Sequence, residues 1–188
     1  MSSKTQEQYS RAIAKCKDIF EKKNADYGMS WRVLRLSSLI DQLYIKAKRI
    51  RTIEENKAQK IEDDIESEFL GLVNYCAMAQ IQIRKGPKSL SSEGDEPFAE
   101  ILGLYLQEIE AAKILMLKKN HDYGEVWRDM WISSYTDLIL SKLLRIRQII
   151  ENEGKTQVSE GISSNLYDII NYSVFALIKF EEKHEQHH

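Results

Sequence analysis

Residues 22–32 read KKNADYGMSWR, and nearly the same string returns at residues 118–128 as KKNHDYGEVWR. With a shift of 96 positions, residues 20–56 align without a gap to residues 116–152, and 18 of the 37 aligned positions are identical. One inserted residue later, Asn74-Tyr75 matches Asn171-Tyr172. Identity of this extent indicates an internal duplication. Two copies are too few for a solenoid, so we expect a pseudo-two-fold domain that resembles a dimer fused into one chain.

Apolar residues recur at helical spacing along each copy, which predicts an all-α fold. The pattern is clearest in the second segment, where residues three or four positions apart are Leu36, Leu39, Ile40, Leu43, Ala47, Ile50 and Ile53. No stretch alternates with a period of two, so we expect no sheet. Each copy is predicted to contain three helices. Gly28 and Gly124 are expected to end the first helix of each copy, and Ser30 to cap the second helix of the first copy.

The two prolines, Pro87 and Pro97, lie in a polar segment between the copies, which is typical of a linker. We expect the repeats to pack as one globular unit, a tandem duplication of a three-helix unit. The predicted parts are a first repeat at residues 1–85, a linker at 86–97, a second repeat at 98–183 and a charged tail at 184–188.

The composition limits the class of partner. Lys and Arg total 27 and Asp and Glu total 29, a formal charge of -2, which argues against a protein that coats nucleic acid. No apolar run approaches the roughly 18 residues needed to cross a bilayer, and no signal-peptide pattern is visible. We therefore expect a cytoplasmic protein without a membrane partner, and a homo-oligomer is compatible with the sequence. Cys16 and Cys76 have no CxxC or histidine partner nearby and are expected to be buried free thiols.

The repeated motif gathers a cation, an amide, a carboxylate and two aromatic rings within nine residues. Such a group can stack a nucleobase on a ring and pair its lysine with phosphate. The alternative is structural, because an aromatic residue at a helix junction often packs helices together and Asp or Asn often caps one. The candidate ligand-binding residues are Lys23, Asn24, Asp26, Tyr27 and Trp31 in the first copy and Lys119, Asn120, Asp122, Tyr123 and Trp127 in the second.

A second repeated cluster is basic. Lys46 and Arg49 lie three positions apart on the second helix, as do Lys142 and Arg145, so each pair shares a face that can hold an anionic group. The alternative is a solvated, ion-paired helix surface. The identical Lys-x-x-Arg-Ile-Arg spacing in both copies favours binding.

Carboxylates form a third cluster. Acids three or four positions apart on a helix can share Mg²⁺, which prefers oxygen ligands. Asp63 and Glu66 have that spacing, whereas the corresponding part of the second copy has Glu160 and Asp168, eight positions apart. This difference predicts one working site or two unequal ones, although the helix dipole alone also favours acids at a helix start. The candidate metal ligands of this cluster are Asp63, Glu66, Glu160 and Asp168, and the family resemblance given below implies Asp41 and Asp137 of the second helices as well.

These motifs together resemble a known family. Lys-Asn-x-Asp-Tyr-Gly-x-x-Trp, then Asp followed by Lys-x-x-Arg-Ile on one helix, then acids before Asn-Tyr, is similar to the first nucleotide-modification-associated domain family, formerly a domain of unknown function, in two tandem copies. More distantly, the chain resembles the all-α nucleoside triphosphate pyrophosphatases of the MazG and dimeric dUTPase group, in which carboxylates on neighbouring helices hold Mg²⁺ and the metal activates water.

The resemblance implies a protein that handles a nucleotide or a related phosphorylated small molecule. In its most specific form, it implies a Mg²⁺-dependent triphosphate pyrophosphohydrolase in which Asp137, Glu160 and Asp168 are catalytic and the lysines and arginines bind phosphate. The second helix carries a single acid, Asp41 or Asp137, where the pyrophosphatases have two. A non-catalytic helical module that binds a nucleotide or a protein with a degenerate site therefore remains the alternative.

Overall fold

The computed structural model describes residues 3–56, 62–91, 96–155 and 161–186, and these contain six α-helices and no strand. A short 3₁₀ helix, Ser30–Val33 or Val126–Asp129, joins the first two helices of each repeat. The architecture confirms the predicted duplicated all-α bundle. The helices are α1 (Ser3–Tyr27), α2 (Leu36–Asn56) and α3 (Glu62–Lys85) in the first repeat and α4 (Phe98–Tyr123), α5 (Ile132–Glu151) and α6 (Ile162–Gln186) in the second.

Glycine ends the first helix of each repeat, as predicted. Gly28 has φ +66° and Gly124 has φ +68°, in the left-handed region that glycine adopts without steric cost. Each helix continues through the tyrosine that precedes this glycine, Tyr27 in α1 and Tyr123 in α4. The Lys, Asn and Asp of the motif therefore project from the last two helical turns.

The prediction that Ser30 caps α2 is wrong. Ser30 begins the intervening 3₁₀ helix, whose N-cap position is Met29, and no side-chain hydrogen bond caps that helix. The 3₁₀ helix had no signal in the apolar periodicity, because it is too short to show a repeat. At the other end of the chain, α6 continues through Gln186, so residues 184–186 of the expected tail are helical.

The two repeats share one core. The third helices, α3 and α6, pack against each other at the centre, and α2 packs against α5 beside them. Their apolar stripes are buried in a continuous cluster, represented by Leu43 and Ile50 on α2, Leu143 and Ile146 on α5, and much of α6. Each repeat therefore covers the apolar face of the other.

Asparagine side chains mark the pseudo-two-fold relation between the repeats. Tyr105 Oη donates to Asn74 Oδ1 at 2.7 Å, and Tyr9 Oη donates to Asn171 Oδ1 at 2.9 Å, both across the repeat boundary. The amide nitrogen of each asparagine donates to a carbonyl of the first helix of its own repeat, at Cys16 or Ala112. The repeated asparagine is thus a buried structural residue.

Both cysteines are buried free thiols, as predicted. Burial raises the pKa of Cys16 to about 12 and that of Cys76 well above its usual value, so neither is a thiolate at neutral pH. None of the helices in the described ranges combines the length and the apolar character required to cross a membrane.

Candidate functional site

A pocket of about 400 Å³ lies in the first repeat, where the end of α1, the 3₁₀ helix Ser30–Val33 and the middle of α3 meet. We call it the first-repeat pocket. Its lining comes from four elements and includes Lys23, Asn24 and Tyr27 of α1, Trp31 of the 3₁₀ helix, Lys46 of α2, and Glu68, Gly71 and Tyr75 of α3. Seven of these eight residues come from α1, α2 and α3, which are well separated in sequence. The pocket therefore depends on how these helices pack.

Helical spacing explains why these side chains converge. Lys23 and Tyr27 are four positions apart, so they lie on one face of α1. Glu68, Gly71 and Tyr75 are separated by three and four positions, so they share one face of α3. Gly28 then turns the chain so that the 3₁₀ helix places Trp31 against the core.

Trp31 is 9% exposed, and its ring centroid lies 6.4 Å from that of Phe20. It forms an apolar wall of the pocket. Tyr27, in contrast, is 59% exposed, and its ring is accessible at the end of α1. The two aromatic residues of the motif therefore differ, because the tryptophan is largely used in packing and the tyrosine is not.

The pocket is lined by one buried acid and two lysines. Glu68 is 8% exposed and accepts from Arg49 at 2.5 Å, with Lys46 Nζ at 3.5 Å. Lys46 Nζ also lies 5.2 Å from the ring centroid of Tyr75, a cation–π distance. Lys23 is exposed and forms no hydrogen bond or ion pair with any residue that the structure describes. Burial raises the pKa of Tyr75, with a further contribution from the neighbouring Tyr27 hydroxyl, so the Tyr75 hydroxyl remains protonated at neutral pH.

The second repeat arranges the same lysines differently. Lys119 and Lys142, which align with Lys23 and Lys46, donate to Asp168 at 2.6 and 2.7 Å. Asp168 is only 4% exposed. It aligns with Gly71 once the single inserted residue is counted. A carboxylate thus lies between two lysines in the second repeat, at the position where the first repeat has a glycine.

The tryptophan of the second repeat is fully engaged in packing. Trp127 is 3% exposed and stacks on Phe175 with 4.4 Å between ring centroids. The guanidinium carbon of Arg128 lies 4.3 Å from the same ring. These contacts agree with the structural alternative for this residue, while Tyr123 at the end of α4 is 76% exposed.

The carboxylates on the second helices face arginines of the opposite repeat. Asp137 lies 3.5 Å from Arg51, and Asp41 lies 3.9 Å from Arg147, in equivalent positions across the pseudo-two-fold. Asp137 is thus paired with α2, whereas Asp168 is paired with lysines of α4 and α5.

The other predicted residues are spread over the surface. Asp26, Asp122 and Arg145 are exposed, with Asp122 next to His121 at 3.2 Å. Asn120 donates to Met116 Sδ at 3.1 Å, and Glu66 lies 3.8 Å from Lys15. None of these contacts involves a residue that lines the first-repeat pocket, and none of these predicted residues lines it.

The Mg²⁺ site that the resemblance implies falls partly outside the described residues. Glu160 lies outside the described ranges, and so does the side chain of Asp63. Within those ranges, no three His, Cys, Asp or Glu side chains come close enough to hold a metal ion together. Magnesium binding stays a prediction.

Of the eight pocket residues named above, three were absent from the predicted set: Glu68, Gly71 and Tyr75. Glu68 belongs to an acidic run that shows no preference for one member, and a tyrosine after a buried asparagine resembles core. Gly71 carries the clearest signal in the alignment of the repeats, because it stands opposite Asp168. Its importance depends on the two lysines around it, which only the fold brings there.

The fold and the pocket define a class of protein: a tandemly duplicated helical bundle with a lysine-bearing pocket in one repeat and a lysine-bound carboxylate in the other. A family model described as nucleotide modification associated domain 1 matches residues 23–83 and, a second time, residues 119–180. The chain belongs to this family and carries two tandem copies of its domain, as the motifs predicted. No curated protein and no solved structure matches the chain significantly. The distant resemblance to the pyrophosphatases therefore stays a prediction.

Proposed function

We propose that this protein binds a nucleotide in the first-repeat pocket. The observation that carries the proposal is the meeting of two lysines, Lys23 and Lys46, with two tyrosines, Tyr27 and Tyr75, around a cavity of about 400 Å³. Cavities of roughly 300–1,000 Å³ are usual for small-molecule sites. Membership of a family associated with nucleotide modification supports a nucleotide over other phosphorylated molecules.

The chemistry of the lining suits both ends of a nucleotide. Lysine ammonium groups form charge-assisted hydrogen bonds with phosphate oxygens. An exposed tyrosine ring such as that of Tyr27 stacks on a base of any identity. The amide of Asn24, which also lines the pocket, offers a donor and an acceptor to the edge of a base.

Metal-dependent hydrolysis of a nucleoside triphosphate is the more specific function that the resemblance implies. Its proposed catalytic residues are Asp137, Glu160 and Asp168. Asp168 is engaged by two lysines, and Asp137 lies beside Arg51. These contacts favour binding without turnover as the function of the site.

The first experiment is calorimetric titration of the full chain with a panel of nucleosides, nucleoside 5′-monophosphates and nucleoside triphosphates, with and without Mg²⁺. We expect saturable binding of one nucleotide per chain, weaker binding of the corresponding nucleoside, and intact nucleotide afterwards by chromatography. No binding across the panel by a folded sample would overturn the proposal. Product formation that a chelator abolishes would establish the hydrolase in place of binding without turnover.

A pair of matched variants tests the position of the site. We expect Tyr27→Ala to raise the dissociation constant roughly 5- to 150-fold, because stacking of a base on an aromatic ring contributes about 1–3 kcal/mol. Tyr123→Ala removes an exposed tyrosine at the equivalent position of the second repeat and should leave affinity unchanged. Equal losses in the two variants, measured by the same titration, would contradict the assignment to the first repeat.

A further inference from the structure

We infer that the ligand's phosphate binds over Gly71, between Lys23 and Lys46, where the second repeat holds its own carboxylate, and that the nucleotide is a nucleoside monophosphate. The inference rests on the proposed function and adds to it the position of the anion and the class of ligand.

The second repeat shows what its lysines bind. Lys119 donates to one oxygen of Asp168 and Lys142 donates to the other, at 2.6 and 2.7 Å. The two ammonium groups thus share a single oxyanion that has two separate acceptor oxygens. A phosphate group presents its oxygens in the same bridging manner.

The first repeat keeps both lysines and lacks the carboxylate. A Cβ atom built on Gly71 would lie 3.1 Å from Cε and 3.2 Å from Nζ of Lys46, so the end of that lysine lies directly over the glycine. Lys23, Lys46 and Gly71 all line the first-repeat pocket. In the first repeat, the end of the Lys46 side chain therefore covers the place that corresponds to the Asp168 carboxylate, and this place borders the first-repeat pocket. A phosphate that binds there takes the position of the carboxylate, with the flexible end of Lys46 moved aside to contact it.

Charge determines how many phosphates the position takes. Glu68 is held most closely by Arg49, at 2.5 Å against 3.5 Å for Lys46, and Lys23 has no anionic partner among the described residues. Two lysines match one phosphate monoester, which carries a charge of about -1.5 to -2 at pH 7. A longer phosphate chain would bring additional negative charge towards Glu68, which lines the same pocket.

The test is to give the first repeat the carboxylate of the second. Gly71→Asp is titrated by calorimetry with the nucleoside 5′-monophosphate that binds the unmodified chain most tightly, beside the neutral variant Gly71→Asn. We expect the dissociation constant of Gly71→Asp to exceed that of Gly71→Asn at least about tenfold, because the new carboxylate repels phosphate and pairs with both lysines. Circular dichroism melting of both variants verifies that each is folded.

A second pair keeps the test decisive if Gly71→Asp does not fold. Lys23→Met should weaken binding of the same monophosphate about tenfold. Lys119→Met changes the equivalent lysine of the second repeat, leaves Asp168 paired with Lys142, and should bind like the unmodified chain.

The outcomes separate the two proposals. Unchanged affinity in Gly71→Asp or in Lys23→Met, with the unmodified chain binding nucleotide, would overturn the position over Gly71 and leave nucleotide binding intact. Tighter binding of a triphosphate than of its monophosphate would overturn the single-phosphate assignment. Absence of nucleotide binding by the unmodified chain would overturn the proposed function itself.

Discussion

Arg32, the last residue of the repeated motif in the first copy, serves the fold. Its side chain is 5% exposed and donates to the carbonyl of Gly86 at 2.9 Å and to Glu96 at 2.8 Å. The backbone N–H of Lys88 donates to the Arg32 carbonyl at 2.7 Å. Arg32 thus fastens the segment after α3 to the 3₁₀ helix beside the pocket. A buried arginine needs such partners, since an unpaired buried charge is strongly unfavourable.

We predict that Glu96→Gln lowers the free energy of unfolding at pH 7 by roughly 1–3 kcal/mol, because it removes the charged partner of buried Arg32. Glu100→Gln is the matched control. It removes another acid bound to Lys85, but the Glu100 side chain is 54% exposed, and a loss of at most about 0.5 kcal/mol is expected. Urea unfolding measures both values, and equal losses would contradict the prediction.

The stabilisation that Glu96 provides also depends on pH. Burial by itself raises the pKa of Glu96, but hydrogen bonds from Arg32 and Lys85 outweigh it and hold the pKa below its usual value. The stabilisation is therefore complete above the unfolded-state pKa of about 4.3 and is lost as the pH falls through the lower folded-state pKa. Between about pH 5 and pH 3, the unmodified chain should lose more stability than Glu96→Gln. Parallel pH profiles in urea unfolding would refute this.

At the scale of elements, the first helix of each repeat contacts both repeats. The early part of α1 reaches α6 through Tyr9 and Asn171, while its last turns line the first-repeat pocket. In the same way, α4 reaches α3 through Tyr105 and Asn74. Burial raises the pKa of both tyrosines, so their hydroxyl groups stay protonated and donate. The contacts of α1 with α6 and of α4 with α3 therefore fix the position of the end of α1 relative to α3. This relative position shapes the first-repeat pocket.

We predict that Tyr9→Phe and Tyr105→Phe each lower the free energy of unfolding by about 0.5–1.5 kcal/mol, because each leaves a buried asparagine oxygen without its donor. The two losses should be similar, since the contacts are equivalent. Tyr44→Phe is the control, because the hydroxyl of Tyr44 makes no hydrogen bond within the described ranges and its ring remains beside Arg147. Urea unfolding that places all three variants level with the unmodified chain would contradict the prediction.

At the scale of the whole molecule, the centre of the bundle belongs to both repeats. The packing of α3 on α6 and of α2 on α5 buries apolar faces that each repeat would otherwise expose. On the surface of the α2–α5 pair, Arg51 faces Asp137 and Arg147 faces Asp41. Such exposed pairs contribute little to stability, so the shared apolar core is what joins the repeats.

We therefore predict that the two repeats unfold in one cooperative transition. In a Trp131→Phe background, which removes a tryptophan that is 79% exposed, Trp127→Phe leaves Trp31 as the only tryptophan and Trp31→Phe leaves Trp127. Excitation at 295 nm avoids the tyrosines. For each single-tryptophan protein, the midpoint by fluorescence should coincide with the midpoint of helix loss by circular dichroism. Separate midpoints for the two probes in either protein would show that the repeats unfold independently.

The sequence by itself determined the duplication, the all-α class and the glycines that end α1 and α4. These features depend on local periodicity and on the backbone conformation of single residues, which near neighbours in the chain control. It also indicated Lys23, Tyr27 and Lys46, because the motif and its spacing are repeated.

Only the tertiary structure decided which repeat has the pocket and why the repeats differ. Gly71 and Asp168 occupy equivalent positions, but their effect depends on lysines from two other helices that packing brings beside them. Whether a carboxylate is free to bind metal or is already paired depends in the same way on distant partners. Burial and ion pairing are set by contacts between residues far apart in the chain, and local sequence patterns carry no record of those contacts.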